Sequence, residues 1–462
     1  MVIRDYRWSI LFLALFLAAF ALQAGLMIFA LYALAGLMIA SRYFARTWLA
    51  NLEVTRESGI QEPVAIGTSV EIHARITNKG TRSILWVLIE DLLPATALRQ
   101  KPPRLRLKGK RLKLLRLPGR GSALFSYTLI CDMRGYYQIG PIILETGDLF
   151  GLHRRHRIMT EANYLLVLPR IVPLPKYDFS SQRPIGEINS AHRLFEDPTR
   201  HAGVRAYQIG DPLQRVHWRA TARTGQLMCR ILEPTSLAGA TILLDFNLSG
   251  FQARGEPYRS ELAITTACSL AYAVTTLNQQ IGFVSNGRDA ADRRSLKSTI
   301  QVENDEGKIG FDSREQARSG IEMSETSDRL RPVIVETRRG IDQFQQIHET
   351  LARLELSDGQ SFAQLVLEVT PRLPRDATII AILPVVPVEC SSVLGMLRRQ
   401  GFAVSVVLIA IEDDNRSQAQ GRLLAENIRD IRHVQSEEEL AMLGQSLGAV
   451  GPNPYSIEIN LA

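Results

Sequence analysis

The hydrophobic pattern divides the chain into stretches of different period. Residues 8–40, WSILFLALFLAAFALQAGLMIFALYALAGLMIA, contain no charged side chain. A straight helix of that length would reach roughly 50 Å, well past a hydrocarbon core of about 30 Å. The pattern therefore predicts an N-terminal transmembrane helical hairpin within residues 1–50, broken near Gln23, Ala24 and Gly25. A single tilted span and a shallow re-entrant hairpin are the alternatives. A hairpin puts Arg4, Arg7, Arg42 and Arg46 on the cytoplasmic side, which places the protein at the cell inner (cytoplasmic) membrane with its remaining domains facing the cytoplasm. Trp8, Tyr43 and Trp48 stand where interfacial anchors belong.

Beyond residue 50 the period changes to two. VEIHARITN, ILWVLIEDL, ALFSYTLI, YYQIGPIIL and YLLVLP each alternate apolar and polar positions between Gly, Pro or Asn turns, predicting an antiparallel β-sandwich over residues 51–170. From 239 to 412, buried strands such as ATILLDF, IGFVS, ATIIAIL and FAVSVVLIA alternate with helical runs such as RSELAITTACSLAYAVTTLNQ. That order predicts an α/β doubly wound parallel sheet. Residues 288–330 interrupt it as a polar insertion, and 413–462 read as C-terminal helices and a tail.

Between these domains, residues 171–238 read as a linker carrying the densest directional chemistry, GVRAYQIGDPLQRVHWRATARTGQLMCRILEP at 203–234. Asp211-Pro212 predicts a helix start and Gly225 its end. Arg215, Arg219 and Arg223 then form one basic stripe, with Arg205 nearby. Forked guanidinium bonds would suit a phosphate, a carboxylate or an acidic partner surface, although a structural ion-pair network between domains is the favoured reading of the stripe alone. His217 beside Trp218 lacks a nucleophile of defined spacing, so a hydrogen-bonded structural histidine is favoured over acid–base work.

The segment RAYQIGDPLQRVHWRATARTGQLMCR resembles the signature of a bacterial family catalogued as domain of unknown function number 58. Residues 131–155, CDMRGYYQIGPIILETGDLFGLHRR, resemble the same family, whose Asp-Pro-Phe-Gly-Leu element appears here as Asp148-Leu149-Phe150-Gly151-Leu152 without its proline. The strand order after residue 239 resembles a von Willebrand factor A domain. That resemblance places Asp245, Asn247 and Ser249, with Ser361, where the domain holds a divalent cation. Asn stands for the expected Ser, and ATIIAILPVV ends without the expected Asp, so the resemblance implies a degraded Mg2+ site and no other cofactor. It further implies a membrane-anchored protein-interaction adaptor partnering a MoxR-type AAA+ ATPase in a chaperone-like or envelope-related process, with Arg205, Tyr207, Asp211, Arg215, His217, Trp218, Arg219 and Arg223 as the partner-binding set; a divalent-cation-dependent interaction switch is the alternative.

Composition adds a net charge of +7, much of it concentrated at 99–120, where ten Lys or Arg occur without an acid. Arg104, Arg106, Lys108, Lys110, Arg111 and Lys113 form a candidate membrane surface for anionic lipid. Nucleic acid is the weaker alternative, because no aromatic residues interleave the basic ones. An ordinary solvated strand pair would show the same alternation. Cys131, Cys229, Cys268 and Cys390 are too widely spaced for a metal knuckle and read as reduced core thiols. No phosphate loop, zincin motif or nucleophile–base spacing is present, so no enzyme is expected.

Overall fold

The computed structural model describes residues 25–57, 62–147, 154–174, 195–208, 216–235, 239–251, 255–292, 310–311, 331–375 and 377–442. The chain divides into two compact units. One comprises Met1–Arg170, Arg288–Arg329 and Glu349–Glu355; the other comprises Ile171–Gly287, Leu330–His348 and Leu356–Ala462.

The first unit corrects the transmembrane expectation. Helix α1 (Gly25–Ala50) runs unbroken beyond the apolar run to Ala50, and among the described residues no helix is long and apolar enough to cross a membrane. The end of α1 has a different use. Trp48, only 6% exposed, and Leu49 enter the core of the strand domain with Leu52, so Trp48 is a packing residue and not an interfacial anchor. The Arg157 guanidinium donates to the Leu49 carbonyl at 3.3 Å, satisfying an acceptor that a helix end otherwise leaves open. The rest of the expected hairpin, residues 1–24, lies outside the described residues.

Three sheets follow, with one short helix, α2 (Ala95–Arg99), among their strands. β1 (Leu52–Arg56), β3 (Ser69–Asn78), β7 (Ser122–Cys131) and β5 (Leu105–Lys108) form the first, in the order β1-β3-β7-β5, all antiparallel. The second runs β6 (Leu112–Leu117), β4 (Ile84–Asp91), β9 (Ile142–Gly147) and β10 (Arg154–Ile158), extended by residues 310–311. The third contains β2 (Val64–Ala65), β11 (Asn163–Leu168) and β8 (Gly135–Ile139), with β2 and β11 parallel. Alternation decides which faces meet: Ile72, Ala74 and Ile76 of β3 and Phe125, Tyr127 and Leu129 of β7 all point into one core.

A buried polar triad is set in this core. Arg56 and Asp91 pair at 2.5 Å, and the Tyr127 hydroxyl donates to the other Asp91 oxygen at 2.7 Å. Burial beside this carboxylate drives the tyrosine pKa upward, so Tyr127 stays a donor.

In the second unit an antiparallel ribbon, β12 (Phe195–Ala206) and β13 (Met228–Thr235), precedes the α/β sheet. That sheet comprises β14 (Gly239–Leu244), β15 (Gln280–Ser285), β16 (Val333–Arg338), β17 (Ala377–Leu383), β18 (Val404–Ile409) and β19 (Asp430–Val434). Their spatial order is β16-β15-β14-β17-β18-β19, with all neighbours parallel except the antiparallel edge β16. The order reverses between β14 and β17, where crossovers leave toward opposite faces and open a crevice at the carboxyl ends. Every residue of β14 and β18 is buried, as a strand covered on both faces requires.

The expected boundary at 412 falls inside this sheet, since β19 lies beyond it. Both edge strands, VIVETR and DIRHV, are short and mixed in polarity, so their sequences carry no clear strand period. The helices are α4 (Tyr258–Thr276), α5 (Ile341–Arg353), α6 (Phe362–Val369), α7 (Val388–Arg399), α8 (Asp413–Ala425) and α9 (Glu437–Met442). Most of the polar insertion, and the tail from 443, lie outside the described residues.

Candidate functional site

At the carboxyl end of β14 the chain continues through Asp245, whose N–H bonds the Ile382 carbonyl of β17 at 3.0 Å. Its side chain is 5% exposed. Oδ1 accepts from the Asn286 amide at 2.9 Å and from the Asn247 N–H at 3.3 Å. Burial raises the Asp245 carboxyl pKa above its ordinary value, opposed by these two bonds. Asn286, at the end of β15, also donates to the Gln360 carbonyl at 3.0 Å and accepts from the Phe246 N–H at 2.6 Å. Asn286 therefore ties three connections together. The sequence signal was a lone polar residue closing a buried strand beside Asp245, and it was overlooked.

Asn247 and Ser249 stand in the same turn, but their oxygens are occupied by each other. Asn247 Oδ1 accepts from the Ser249 N–H at 2.9 Å and from its hydroxyl at 2.8 Å. The Asn247 amide donates to the Gly359 and Gln360 carbonyls at 3.3 and 3.0 Å. Ser361 caps α6, accepting from the Gln364 N–H at 3.3 Å while Gln364 returns a bond to its N–H at 3.0 Å. Proline follows β17 where a carboxylate would be wanted, and among the described residues no three His, Cys, Asp or Glu side chains gather to hold a metal. One carboxylate, with its neighbours turned to internal hydrogen bonds, does not fit a hard cation such as Mg2+. The cluster is a polar clamp joining the β14, β15 and 357–361 connections.

The Arg-striped segment folds differently from its expectation. Helix α3 (Trp218–Thr224) begins at His217, whose Nδ1 accepts from the Ala220 N–H at 3.0 Å. Val216, expected on the helix, instead bridges to Cys229 and is buried. The helix ends at Gly225 with φ 71°, the left-handed conformation glycine adopts without steric cost. Thr221 fixes α3 onto β13, its hydroxyl accepting from the Met228 N–H at 3.0 Å.

This anchoring leaves the other face outward. Trp218 is 67% exposed, and Arg219 and Arg223 are exposed. Among the described residues neither arginine pairs with a carboxylate. Arg205 and Tyr207 lie half-buried at the end of β12 and just beyond it, with the Tyr207 N–H bonded to the Leu227 carbonyl at 2.8 Å. Asp211 and Arg215 lie outside the described residues.

The basic run forms β5 and β6, the edge strands of two different sheets. Lys108, Lys110 and Lys113 are exposed, while Arg104 and Arg111 are half-buried. Arg106 pairs with both oxygens of Asp132. Charged side chains on a sheet edge block pairing with another chain, which accounts for the run within the sandwich itself.

One segment, from the last residues of β12 through α3, β13, β14 and β15, matches a described family. Residues 203–298 match the family described as "Protein of unknown function DUF58". The matched residues include α3 and Asp245, Asn247, Ser249 and Asn286 of the clamp, but not its 357–361 connection. The chain is also 23% identical over 292 residues to the uncharacterized protein YeaD of Bacillus subtilis (strain 168), covering 62% of this chain and 69% of that protein. Among solved structures, the ASH/PapD-like domain of human CEP192 aligns at 18% identity over 25% of this chain and 82% of that chain, with a TM-score of 0.17. Proximal thread matrix protein 1 from the mussel byssus aligns at 11% identity over 46% of each chain, with a TM-score of 0.29. At such scores neither likeness carries an argument.

Proposed function

We propose that this protein is a protein-interaction adaptor whose docking element is helix α3 of the DUF58 segment. The observation that supports this reading is the exposed Trp218 beside two exposed arginines that pair with no carboxylate among the described residues, on a helix tied to β13 by the His217 N–H and the Thr221 hydroxyl. Tryptophan and arginine dominate the energetics of protein interfaces, because each offers a large, pre-shaped contact area. The partner we propose, from the sequence resemblance, is a MoxR-type AAA+ ATPase. The 3-2-1-4-5-6 order of the sheet, with its antiparallel edge, supports a von Willebrand factor A-like reading of the α/β domain. That domain serves here as scaffold, without a cation.

The test is co-purification of the tagged full chain with a purified MoxR-type ATPase. Wild type retains the ATPase, while Trp218→Ala and Arg219→Ala each lose it with an unchanged circular dichroism spectrum. Equal retention by all three proteins would refute α3 as the docking element.

A further inference from the structure

A cavity of about 280 Å3 opens at the carboxyl ends of β17 and β18. It is bounded by the connection 384–387 after β17, by Ile411 and Glu412 after β18, by Arg259 of α4, and by one face of α8 ending at Arg422. Ligands of doubly wound sheets collect at this edge, near the place where the strand order reverses. Arg259 belongs to the crossover that leaves β14, and residues 384–387 to the one that leaves β17, so the cavity adjoins that reversal.

Among the described residues of the lining, the charged side chains are two guanidiniums and one acid, the exposed Glu412. Arg422 donates from Nη1 to the Val386 carbonyl at 2.7 Å, and Arg259 from Nη2 to the Pro384 carbonyl at 3.4 Å. Both guanidiniums are thus steadied by the same loop, with further donors left over. Arg259 Nε is buried and has no hydrogen-bond partner. Among the described residues, neither Arg259 nor Arg422 pairs with a carboxylate. Two helices begin at the cavity wall, α7 after Pro387 and α8 after Glu412, and neither has a side-chain cap on its first N–H groups. Exposed Asn415 and Gln418 add neutral amides to the wall.

We propose that this cavity binds a small molecule bearing an oxyanion, carboxylate or phosphate, gripped between Arg259 and Arg422. Guanidiniums suit such a group because their planar forks match its paired oxygens. The cavity volume admits a small metabolite. This site is separate from α3 and does not depend on the adaptor reading.

The experiment is a thermal melt of the full chain against inorganic phosphate and, separately, succinate, at ionic strength held constant with chloride. One or both probes should raise the melting temperature saturably, and which of them does so distinguishes phosphate from carboxylate. In Arg422→Gln and in Arg259→Gln the half-saturating concentration should rise about tenfold or more, the loss expected for one charge-assisted bond. Arg422 is exposed, so that variant keeps the fold even if the Arg259 variant does not. Glu412→Gln removes the opposing charge and should lower the half-saturating concentration. Absence of saturation with both probes, or equal half-saturation in wild type and Arg422→Gln, would overturn the proposal.

Discussion

Asp245 shows how a single residue type can point to one chemistry and serve another. Its position after a buried strand was legible in the sequence; its partner Asn286 was not, because that amide reaches it from a connection 41 residues away and is itself held by the Gln360 carbonyl. Burial raises its pKa in the folded state, which therefore binds that proton more tightly than the unfolded chain does. The stability this confers is fully present below the unfolded value near pH ~4 and is lost as pH rises through the folded value. Asp245→Asn keeps the acceptor oxygen and lacks the titration. Urea denaturation across this range should show wild type losing stability relative to Asp245→Asn as pH rises; a constant difference would contradict the assignment. Because the clamp does not fit a cation, millimolar Mg2+ or EDTA at constant ionic strength should leave the melting temperature of wild type unchanged. A saturable Mg2+ shift abolished by Asp245→Asn would show that the clamp opens for metal.

At the scale of elements, local signals were read correctly where they act locally and failed where tertiary pairing intervenes. Gly225 marks the end of α3 because only its own backbone conformation matters there. Asp211-Pro212 does not mark the start of α3, because Val216 is drawn into a bridge with Cys229 and the helix must begin after it. Hydropathy and flanking charge near the N-terminus do not reveal that Trp48 and Leu49 enter the core of the strand-rich unit. The edge strands β5 and β6 carry a further expectation. Replacing Lys108, Lys110 and Lys113 by Thr should leave the circular dichroism spectrum intact and increase aggregation, followed by light scattering. Unchanged scattering would show that these charges do not guard the edges. In the core beneath them, Arg56→Ala strands the Asp91 carboxylate and should cost about 3–5 kcal/mol in chemical denaturation. A cost under about 1 kcal/mol would mean that Asp91 takes up a proton and no longer needs the guanidinium.

At the scale of the whole molecule, a strand-rich unit and an α/β unit are joined by a chain that passes between them more than once. The alternating period of the sandwich and the βα alternation of the sheet were both visible before the structure. The return of residues 349–355 to the first unit was not, since no local pattern records it. The account of function rests on the outward face of α3, so the most direct measurement is amide hydrogen exchange of the full chain with and without a purified MoxR-type ATPase. The account predicts slowed exchange at residues 218–225 and in the adjoining strand β13, absent in Trp218→Ala. Binding that leaves these residues unprotected, or that protects 99–120 instead, would contradict it.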